Sequence, residues 1–355
     1  MEGFALELED ELMNFSDVSY KSFVKSESEI ITLFYDKFAD IPLLSRMDAV
    51  AETFIDEIET LLNRDLPEEE RIPLIEKFQK MYETMDFYVL YNRFLKKEGY
   101  QTLPRRPLEK RKLRYEDVYP VLYLKYRLSR QAERSNIKHL VIDEMQDYSR
   151  LQYLIIRRMF SCKMTILGDR AQTMADQQQD VLQFLPGIFG KDLRRIEMRK
   201  SYRNTVEIAS YAANLIGVTD LELFERHGMP VLERDVTDLE AALREAVDTL
   251  FPDEKTYETA AVIVPDEKTA ERAYLILREI LAEKDFDCGK RLSWLNRDSS
   301  SFKKGLTVTT FYLAKGLEFD QVFSIFPKDE KREIMMQAQY IAATRALHEL
   351  RVYHI

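Results

Sequence analysis

The chain has 355 residues, 32% of them charged and 45% hydrophobic, a composition typical of a soluble globular protein with two or three domains. Its net charge of −10 argues against a dedicated duplex-DNA binder: any nucleic-acid contact requires a local groove, and the acidic surface equally suits a basic protein partner. The sequence has no apolar run of about 18 residues, no basic signal sequence and only two cysteines, Cys162 and Cys288. We therefore expect a cytoplasmic protein without a membrane partner or a disulfide framework.

Residues 1–136 are predicted to form a mainly helical, strongly charged region. Three stretches carry apolar residues three and four positions apart, as amphipathic helices do: SEIITLFYDKFADI, MDAVAETFIDEIETLLN and IPLIEKFQKMYETMDFYVLYNRFLKK. The stretch LPRRPLEKRKLRYED at 103–117 is basic, and it is either a solvated linker or a patch that contacts phosphates. The acidic start, ELEDELMNFSD, is either a solvated helix or a mimic of nucleic acid.

From residue 137 onward, short apolar runs alternate with amphipathic helices. The strand-like runs are KHLVI, KMTIL, TAAVIV, LTVTTF, DQVFSIF and ELRVYHI, and LRRIEM precedes the helix NTVEIASYAANLIG. Further helices are predicted over SRLQYLIIRRMF, 237–251, TAERAYLILREILAE and MMQAQYIAATRALH, and a long exposed loop over 286–304. Continuous apolar strands alternating with helices predict an α/β fold with a parallel sheet covered on both faces.

Polar residues follow two of these predicted strands. Asp143 and Glu144 come directly after LVI, while Gly168 and Asp169 follow KMTIL with Gln172 three residues further on. Ligands of open α/β sheets bind at the carboxyl ends of strands. There, one carboxylate can hold Mg²⁺, a second can deprotonate a water, and a Gln amide can sense a phosphate. The plainer alternatives are that DYSRLQ caps the next helix and that GDRAQ is a simple turn.

Three later segments add residues suited to phosphate chemistry. KSYRNT places Arg203 between a strand and a helix, AKGLEFD places Lys315, Gly316 and Glu318 between two strands, and AATRAL places Arg345 toward the end of a helix. Arginine is permanently charged and fork-shaped, which suits the spread negative charge of a transferring phosphoryl group. A single surface arginine is usually only solvated, so it is the order of these segments that favours a site.

That order resembles a known family. VIDEMQD, ILGDRAQ, MRKSYRN, TVTTFYLAKGLEFDQVF and QYIAATRA are similar, in sequence, to motifs II to VI of superfamily 1 helicases of the UvrD/Rep type, and YLAKGLEFD resembles the HelD (helicase IV-like) group in particular. That group is associated in bacteria with the release and recycling of RNA polymerase. The resemblance covers about 137–355 and implies RecA-like (P-loop NTPase) sheets. It divides the chain into a helical insertion or partner-contact arm (1–136), the C-terminal half of a first RecA-like domain (137–189) and a second RecA-like domain (190–355).

The resemblance also implies cofactors, partners and residue roles. The cofactors are ATP and Mg²⁺, and the partners are DNA, single-stranded or at a polymerase complex, and bacterial RNA polymerase. Asp143 and Glu144 correspond to the Mg²⁺ residue and the water-activating base of one metal site. Gln172 corresponds to the residue that couples the γ-phosphate to the nucleic-acid track. Arg203 and Arg345 correspond to two arginine fingers, and Gly316 and Glu318 lie near the nucleotide ribose and phosphates.

The sequence departs from the family in three places. The phosphate loop G-x-x-x-x-G-K-[ST] is absent, since Gly190-Lys191 and Gly289-Lys290 are not followed by Ser or Thr. The third motif continues as TMADQQQD rather than with a Trp-Arg pair, and Tyr312 stands where the family has His, which argues against strand tracking by base stacking. We therefore expect the C-terminal portion of a longer helicase-like ATPase, a portion inactive as an ATPase alone. The alternatives are an RNA polymerase-binding module and a degenerate, non-catalytic paralogue.

Overall fold

The protein is described by a computed structural model covering residues 1–130, 136–169, 172, 181–198, 200–218, 222–251, 257–283, 292–299, 304–328 and 333–355. The chain divides into two compact units. Unit 1 comprises Met1–Asp143, Tyr148–Leu167 and Val181–Leu193, and unit 2 comprises Glu144–Asp147, Gly168–Asp180 and Arg194–Ile355. The three-part domain division remains a prediction. TMADQQQD, Cys288, Gly289-Lys290 and much of the predicted loop lie outside the described residues.

Unit 1 is mainly helical, as predicted for its N-terminal part. Its helices are α1 Glu2–Glu11, α2 Glu27–Thr32, α3 Arg46–Leu62, α4 Glu68–Gln79, α5 Phe87–Lys97, α6 Tyr115–Leu128, α7 Arg150–Met159 and α8 Val181–Phe189. The strands β1 Val18–Tyr20 and β2 Phe23–Lys25 pair antiparallel, and β3 His139–Ile142 and β4 Lys163–Ile166 pair parallel.

The core of unit 1 follows the predicted helical spacing. On α3, Val50, Phe54 and Ile58 are buried at intervals of four residues. Two predicted helices are interrupted, however. α2 gives way to a short π-helix at Leu33–Lys37, and the stretch 72–97 contains two helices rather than one. The second break occurs because Tyr82 bridges to Met13 and Asp86 starts α5 by accepting a hydrogen bond from the Tyr88 backbone N–H.

Unit 2 is built on a six-stranded sheet in which every pairing is parallel. The strand order is β7-β12-β11-β8-β10-β9, where β7 is Leu232–Asp235, β8 Thr259–Val264, β9 Leu292–Trp294, β10 Gly305–Thr310, β11 Phe319–Phe326 and β12 Ala346–His354. A separate parallel pair joins β5 Lys200–Ser201 to β6 Glu222–Leu223. The helices are α9 Val206–Leu215, α10 Leu239–Asp248, α11 Glu267–Glu283 and α12 Glu333–Thr344.

Helices cover both faces of this sheet. Along β8, Val262 and Val264 are buried in the core formed with α10 and α11, whereas Ala261 and Ile263 are buried in the core formed with α9 and α12. Successive strand residues point to opposite faces, so a strand buried on both faces must be continuously apolar. The predicted α/β fold is confirmed, and its parallel sheet is consistent with a RecA-like fold.

Three sequence predictions in unit 2 are corrected. The strand predicted before Arg203 is the short β5, Lys200–Ser201, and does not lie in LRRIEM, because 193–198 carry no regular structure. The predicted loop at 286–304 contains β9, which pairs with β10. The last helix ends at Thr344 rather than at His348, since Ala346 already belongs to β12.

Within the described ranges, no helix is long and apolar enough to cross a membrane.

Candidate functional site

The acidic segment 143–147, which follows β3, has an unusual backbone. Glu144 adopts φ +52°, a left-handed conformation that a side chain rarely takes, so the chain turns sharply directly after Asp143. The Gln146 side-chain amide then donates to Glu144 Oε2 at 2.6 Å. DYSRLQ does contain the cap of α7, but Ser149 provides it together with Gln152. The cap of α7 is therefore Ser149 and not Asp143 or Glu144.

Gly168 and Asp169, after β4, pack against that acidic segment. A Cβ added to Gly168 would lie 2.7 Å from the Met145 backbone nitrogen, closer than real Cβ contacts. The Asp169 backbone N–H donates to the Gln146 side-chain oxygen at 3.1 Å. Gly168 is thus required by the close approach of two segments and not only by a turn.

Lys315 joins the acidic segment to Gln172. Its ammonium lies 2.6 and 2.7 Å from the two Asp147 carboxylate oxygens and donates to the Gln172 carbonyl oxygen at 3.0 Å. Glu144 Oε2 lies 3.7 Å from the same ammonium. The Lys315 side chain is only 7% exposed, so its charge is largely removed from solvent and the carboxylates compensate for it.

Arg345 is buried and contacts Gln172. Its guanidinium donates from Nη2 to Gln172 Oε1 at 3.0 Å and from Nε to the Ile341 carbonyl at 3.2 Å. It also donates to Thr344 Oγ1 at 3.2 Å and to Leu317 O at 3.4 Å. The residue is 1% exposed. Among the residues that the structure describes, no carboxylate forms an ion pair with it, so every hydrogen-bond acceptor given for this buried cation is neutral.

The charges around Arg345 are mixed. Burial, and after it the positive charge of Arg203, lower the pKa of the Arg345 guanidinium, and the negative charges of Glu144 and Glu318 oppose this effect. An arginine nevertheless stays protonated in a protein. The two predicted arginine fingers, Arg203 and Arg345, therefore lie close enough to affect each other's charge. Glu144 and Glu318 offset only part of the effect on Arg345.

Arg203 lies beside Glu318, in a half-exposed ion pair with 2.7 Å between Nε and Oε1. The next residue, Asn204, is buried and donates its side-chain amide to the Ala346 carbonyl at 2.6 Å. This bond fixes the KSYRNT segment against the residues that follow α12. Tyr202, on the other side of Arg203, is 61% exposed, with its ring centroid 5.6 Å from that of Phe224.

In unit 2, Glu318 and Arg345 lie at the amino ends of strands, whereas Arg203 follows β5. Glu318 directly precedes β11 and Arg345 directly precedes β12, and the first backbone N–H of β11, from Phe319, donates to the Arg345 carbonyl at 2.9 Å. The prediction that polar residues follow the carboxyl ends of two strands is met by Asp143 and Gly168, which follow β3 and β4, whereas Glu318 lies between β10 and β11, as predicted, and precedes a strand. Arg345 also lies just beyond its helix rather than inside it.

The structure brings together most of the predicted site residues. Glu144, Gln172, Arg203, Glu318 and Arg345 belong to unit 2, as does Gly316, which takes φ +79° in the turn after Lys315. Asp143 is the residue of unit 1 that precedes this set, and it is exposed at the end of β3.

Besides Lys315, four residues of the site had no role predicted from the sequence. They are Asp147, Asp169, Tyr340 and Asn204, and Tyr340 donates its hydroxyl to Asp169 Oδ2 at 2.9 Å. Burial and the Asp169 charge raise the pKa of this hydroxyl, which keeps it protonated. All four lie inside the motifs quoted from the sequence, so membership of a motif could have marked them as candidates.

The residues fit Mg²⁺ only in a limited way. The described residues contain no group of three or more His, Cys, Asp or Glu side chains able to hold a metal ion. Mg²⁺ is commonly bound through one or two carboxylates together with phosphate oxygens and water, so a single exposed carboxylate at a strand end suffices chemically. Asp143 meets that description.

A family model described as the UvrD/REP helicase N-terminal domain matches residues 7–174, nearly half of the chain. The match supports a superfamily 1 helicase-like protein. It takes in the N-terminal helical region, where the sequence motifs gave no sign of the family. No curated protein matches the chain.

Among solved structures, the chain is similar to the C-terminal domain of a possible DNA helicase from Lactobacillus plantarum, with 24% identity, a TM-score of 0.34, and coverage of 44% of this chain and 88% of the other. It is also similar to the arterivirus nonstructural protein 10 helicase, with 15% identity, a TM-score of 0.33, and coverage of 75% and 50%. The complex of that helicase with DNA gives 14% identity, a TM-score of 0.34, and coverage of 75% and 51%. The chain spans about half the length of these arterivirus helicases.

Proposed function

We propose that unit 2 carries the hydrolytic and phosphate-sensing part of a helicase-type ATP site. The observation that carries this proposal is Arg345, a buried guanidinium that forms no ion pair within the described residues and donates to Gln172. A buried cation with only neutral acceptors is costly unless an anion joins it. The γ-phosphate of ATP is an anion of the required kind, and a permanently charged arginine stabilises the charge that develops on it during transfer.

In this proposal, Glu144 deprotonates and orients the attacking water. Its carboxylate is held by the Gln146 amide, and Lys315 lies 3.7 Å away, so the base is positioned before a substrate binds. Asp143 would hold Mg²⁺, which when bound neutralises charge on the phosphates. Arg203, just before α9, and Arg345, between α12 and β12, supply positive charge to the phosphates.

Gln172 is placed to link the phosphate site to the rest of unit 2. Its amide donates to Asp169 Oδ2 at 3.0 Å and accepts from Arg345, while its backbone carbonyl accepts from Lys315. A phosphate that drew Arg345 away would break the bond between Arg345 and Gln172 Oε1. Gln172 would then keep its bonds to Asp169 and Lys315 and lose the one to Arg345, and this change would be the coupling to a nucleic-acid track that the motif resemblance implies.

The nucleotide base and ribose are assigned to the exposed side of this set. Tyr202 offers an exposed ring next to Arg203, on which a purine can stack. Glu318, with Gly316 two residues before it, provides a carboxylate for the ribose hydroxyls once Arg203 turns toward phosphate.

The parent activity proposed is that of a HelD-type ATPase that remodels DNA or RNA polymerase complexes in the cytoplasm. The YLAKGLEFD wording and the net charge of −10 support the polymerase partner, because an acidic protein suits a basic protein surface. The five ordered motifs support DNA as the track. The missing G-x-x-x-x-G-K-[ST] loop supports the further proposal that these 355 residues alone turn over no ATP at a useful rate.

ATP hydrolysis tests both parts of the proposal. The purified chain, with Mg²⁺ and single-stranded DNA, is expected to release no phosphate above the level of the Glu144→Gln variant. Robust turnover that Glu144→Gln abolishes would overturn the inactivity proposal and support the site. If the gene encodes a Gly-Lys-Thr loop upstream, the longer product should turn over ATP and lose about 10²-fold or more in rate with Glu144→Gln or Arg345→Ala.

The ATPase assay of that longer product also needs a control variant. Lys268→Gln, on the exposed face of α11, should leave the rate unchanged. Full turnover in Glu144→Gln and Arg345→Ala would exclude the assigned roles.

To identify the partner, a pull-down of bacterial RNA polymerase is compared with binding of single-stranded DNA at two salt concentrations. Steeply salt-dependent DNA binding without polymerase capture would favour a conventional helicase over the HelD type.

A further inference from the structure

We propose that the basic segment of unit 1, residues 103–114, is a binding site for single-stranded nucleic acid. This segment contains six basic residues and one acidic residue, within a chain whose net charge is −10. The proposal rests on the association with nucleic acid proposed above, and it is independent of the ATP site.

The segment is held in place on α5 and α6 rather than forming a loose linker. Leu103 is buried, its backbone N–H donates to the Asn92 side-chain oxygen at 2.6 Å, and the Tyr88 hydroxyl donates to the Pro104 carbonyl at 2.8 Å. Arg111 forms a 2.6 Å ion pair with Asp86 and lies over the Tyr88 ring. These contacts fix the backbone, and they use one of the six cations.

A second cation is also neutralised within unit 1. Arg114 Nε lies 2.7 Å from Asp117 Oδ2, and Glu116 lies 3.4 Å from the same nitrogen. Four cations are left, and all are exposed: Arg105, Arg106, Lys110 and Lys112. None of the four forms an ion pair or a side-chain hydrogen bond with a residue that the structure describes.

Two of these four cations, Arg106 and Lys112, line one open cavity. Arg106, Lys112 and Arg114 line a cavity of about 330 Å³ together with Gln101, Thr102 and the chain at 103–104. Like charges held on a fixed backbone repel one another, and a polyanion relieves that repulsion. Backbone phosphates of a nucleic acid are anions repeated along a chain, which suits cations distributed from 105 to 112.

Exposed aromatic rings favour a single-stranded nucleic acid over an acidic peptide. Tyr115 directly follows Arg114 and is 79% exposed, and Tyr100 lies just before the segment and is 64% exposed. Nucleobases of a single strand stack on such rings, whereas paired bases and carboxylate side chains do not use them. We therefore assign phosphates to Arg106 and Lys112 and a base to Tyr115.

The test is binding of the full chain to a labelled oligothymidylate of about 20 nucleotides, measured by fluorescence anisotropy over a range of salt concentrations. Arg106→Gln with Lys112→Gln should weaken binding and reduce the slope of log K against log salt by about 1.4, which is about 0.7 per phosphate contact for a single strand. Tyr115→Ala should weaken binding about five- to a hundredfold while leaving that slope unchanged.

The matched control is Lys268→Gln with Arg272→Gln, which removes the same charge from exposed positions on α11 and should leave binding unchanged. Thermal unfolding confirms that each variant is folded. Unchanged affinity and slope in the Arg106/Lys112 variant would overturn this site while leaving the association with nucleic acid intact. A wild-type chain that binds no oligonucleotide, or that binds polyglutamate through these residues instead, would overturn this inference, and the ATP-site proposal would be unaffected.

Discussion

At the scale of single residues, two contacts hold the acidic segment in the candidate site. Gly168 lets the chain after β4 approach the backbone at Met145, and Lys315 ties Asp147 to Gln172. Neither contact binds a phosphate directly. Both determine where Glu144 and Gln172 can lie, so both are testable through stability alone.

Gly168→Ala is expected to destabilise the protein by about 1–3 kcal/mol, because the new methyl group meets a backbone nitrogen that cannot move independently. The midpoint of urea unfolding measures this change. Gly187→Ala is the control: it lies in α8 with nothing within 4 Å of the added Cβ, and a helical Gly→Ala change stabilises by about 0.5–1 kcal/mol. Equal destabilisation by both changes would contradict the contact described for Gly168.

Lys315→Met should cost about 1–3 kcal/mol, because it leaves the Asp147 carboxylate without its cation. A double-mutant cycle with Asp147→Asn, read from urea midpoints, should give a coupling energy of about 1 kcal/mol or more. Lys304→Met, which breaks an exposed pair with Glu258, should cost below about 1 kcal/mol. Additive effects of Lys315→Met and Asp147→Asn would exclude the pairing as a stabilising contact.

At the scale of elements, the first turn of α9 connects Arg203 to the segment that precedes β7. Glu207 in that turn accepts from the Gly228 backbone N–H at 2.9 Å and lies 2.9 Å from His227 Nδ1. These bonds, with the His227 contact as the largest effect, lower the pKa of Glu207 to about 2. The ionised carboxylate therefore stabilises the start of the helix that follows the Arg203 segment.

The sign of its pH dependence follows from the depressed pKa. The stabilisation is complete above the ordinary pKa of 4.5 and is lost as the pH falls toward 2, because the folded state then also binds the proton. Glu207→Gln should cost about 1–2 kcal/mol at pH 7 and less at pH 3, in urea unfolding at each pH. Glu271→Gln, on the exposed side of α11, should change stability by under about 0.5 kcal/mol at both. A Glu207→Gln cost that is the same at pH 3 and pH 7 would contradict the assignment.

Elements also show which features could be predicted from sequence. β8 was predictable because TAAVIV is apolar throughout and is buried on both faces. β9 was not, because LSW has three residues and becomes a strand only through its pairing with β10. The end of α12 at Thr344 was missed for a similar reason: the Asn204 amide, distant in sequence, binds the Thr344 and Ala346 carbonyls and stabilises the change from helix to strand.

For the site, residue types were predictable and contacts were not. The motif order identified Gln172 and Arg345 as site residues, yet the bond between them joins positions 173 apart in the chain. Lys315 was noted only as part of AKGLEFD, since nothing in its spacing indicates which carboxylate it pairs with. Such pairings depend on the folded backbone and therefore cannot be read from local periodicity.

At the scale of the whole molecule, each unit has hydrophobic cores of its own, and the only tryptophan lies in unit 2. Trp294 lies on β9 of unit 2, stacked on Tyr274 with 5.9 Å between ring centroids. Ile55 on α3 and Ile263 on β8 are both fully buried, in unit 1 and unit 2 respectively. Comparable cavities can therefore be created in one core of each unit.

Each of Ile55→Ala and Ile263→Ala should cost its own unit about 2–5 kcal/mol. Ile263→Ala should lower the urea midpoint seen by Trp294 fluorescence, whereas Ile55→Ala should leave that midpoint in place and lower the one seen by far-ultraviolet circular dichroism. If Ile55→Ala shifts both signals equally, the two units unfold as one cooperative structure, and the expectation of separate transitions fails.

The division into units has a consequence for dissecting the gene. The chain leaves and re-enters unit 2 repeatedly, through Glu144–Asp147 and Gly168–Asp180, before its final long segment begins at Arg194. A subclone that starts at Arg194 would keep the whole six-stranded sheet and yet lose Glu144, Asp147 and Gln172. Such a product would leave Lys315 and Arg345 without the partners that occupy their hydrogen bonds here. Boundaries for expression or for fusion to other proteins therefore have to be chosen from spatial neighbours, since no single cut separates these units without dividing the site.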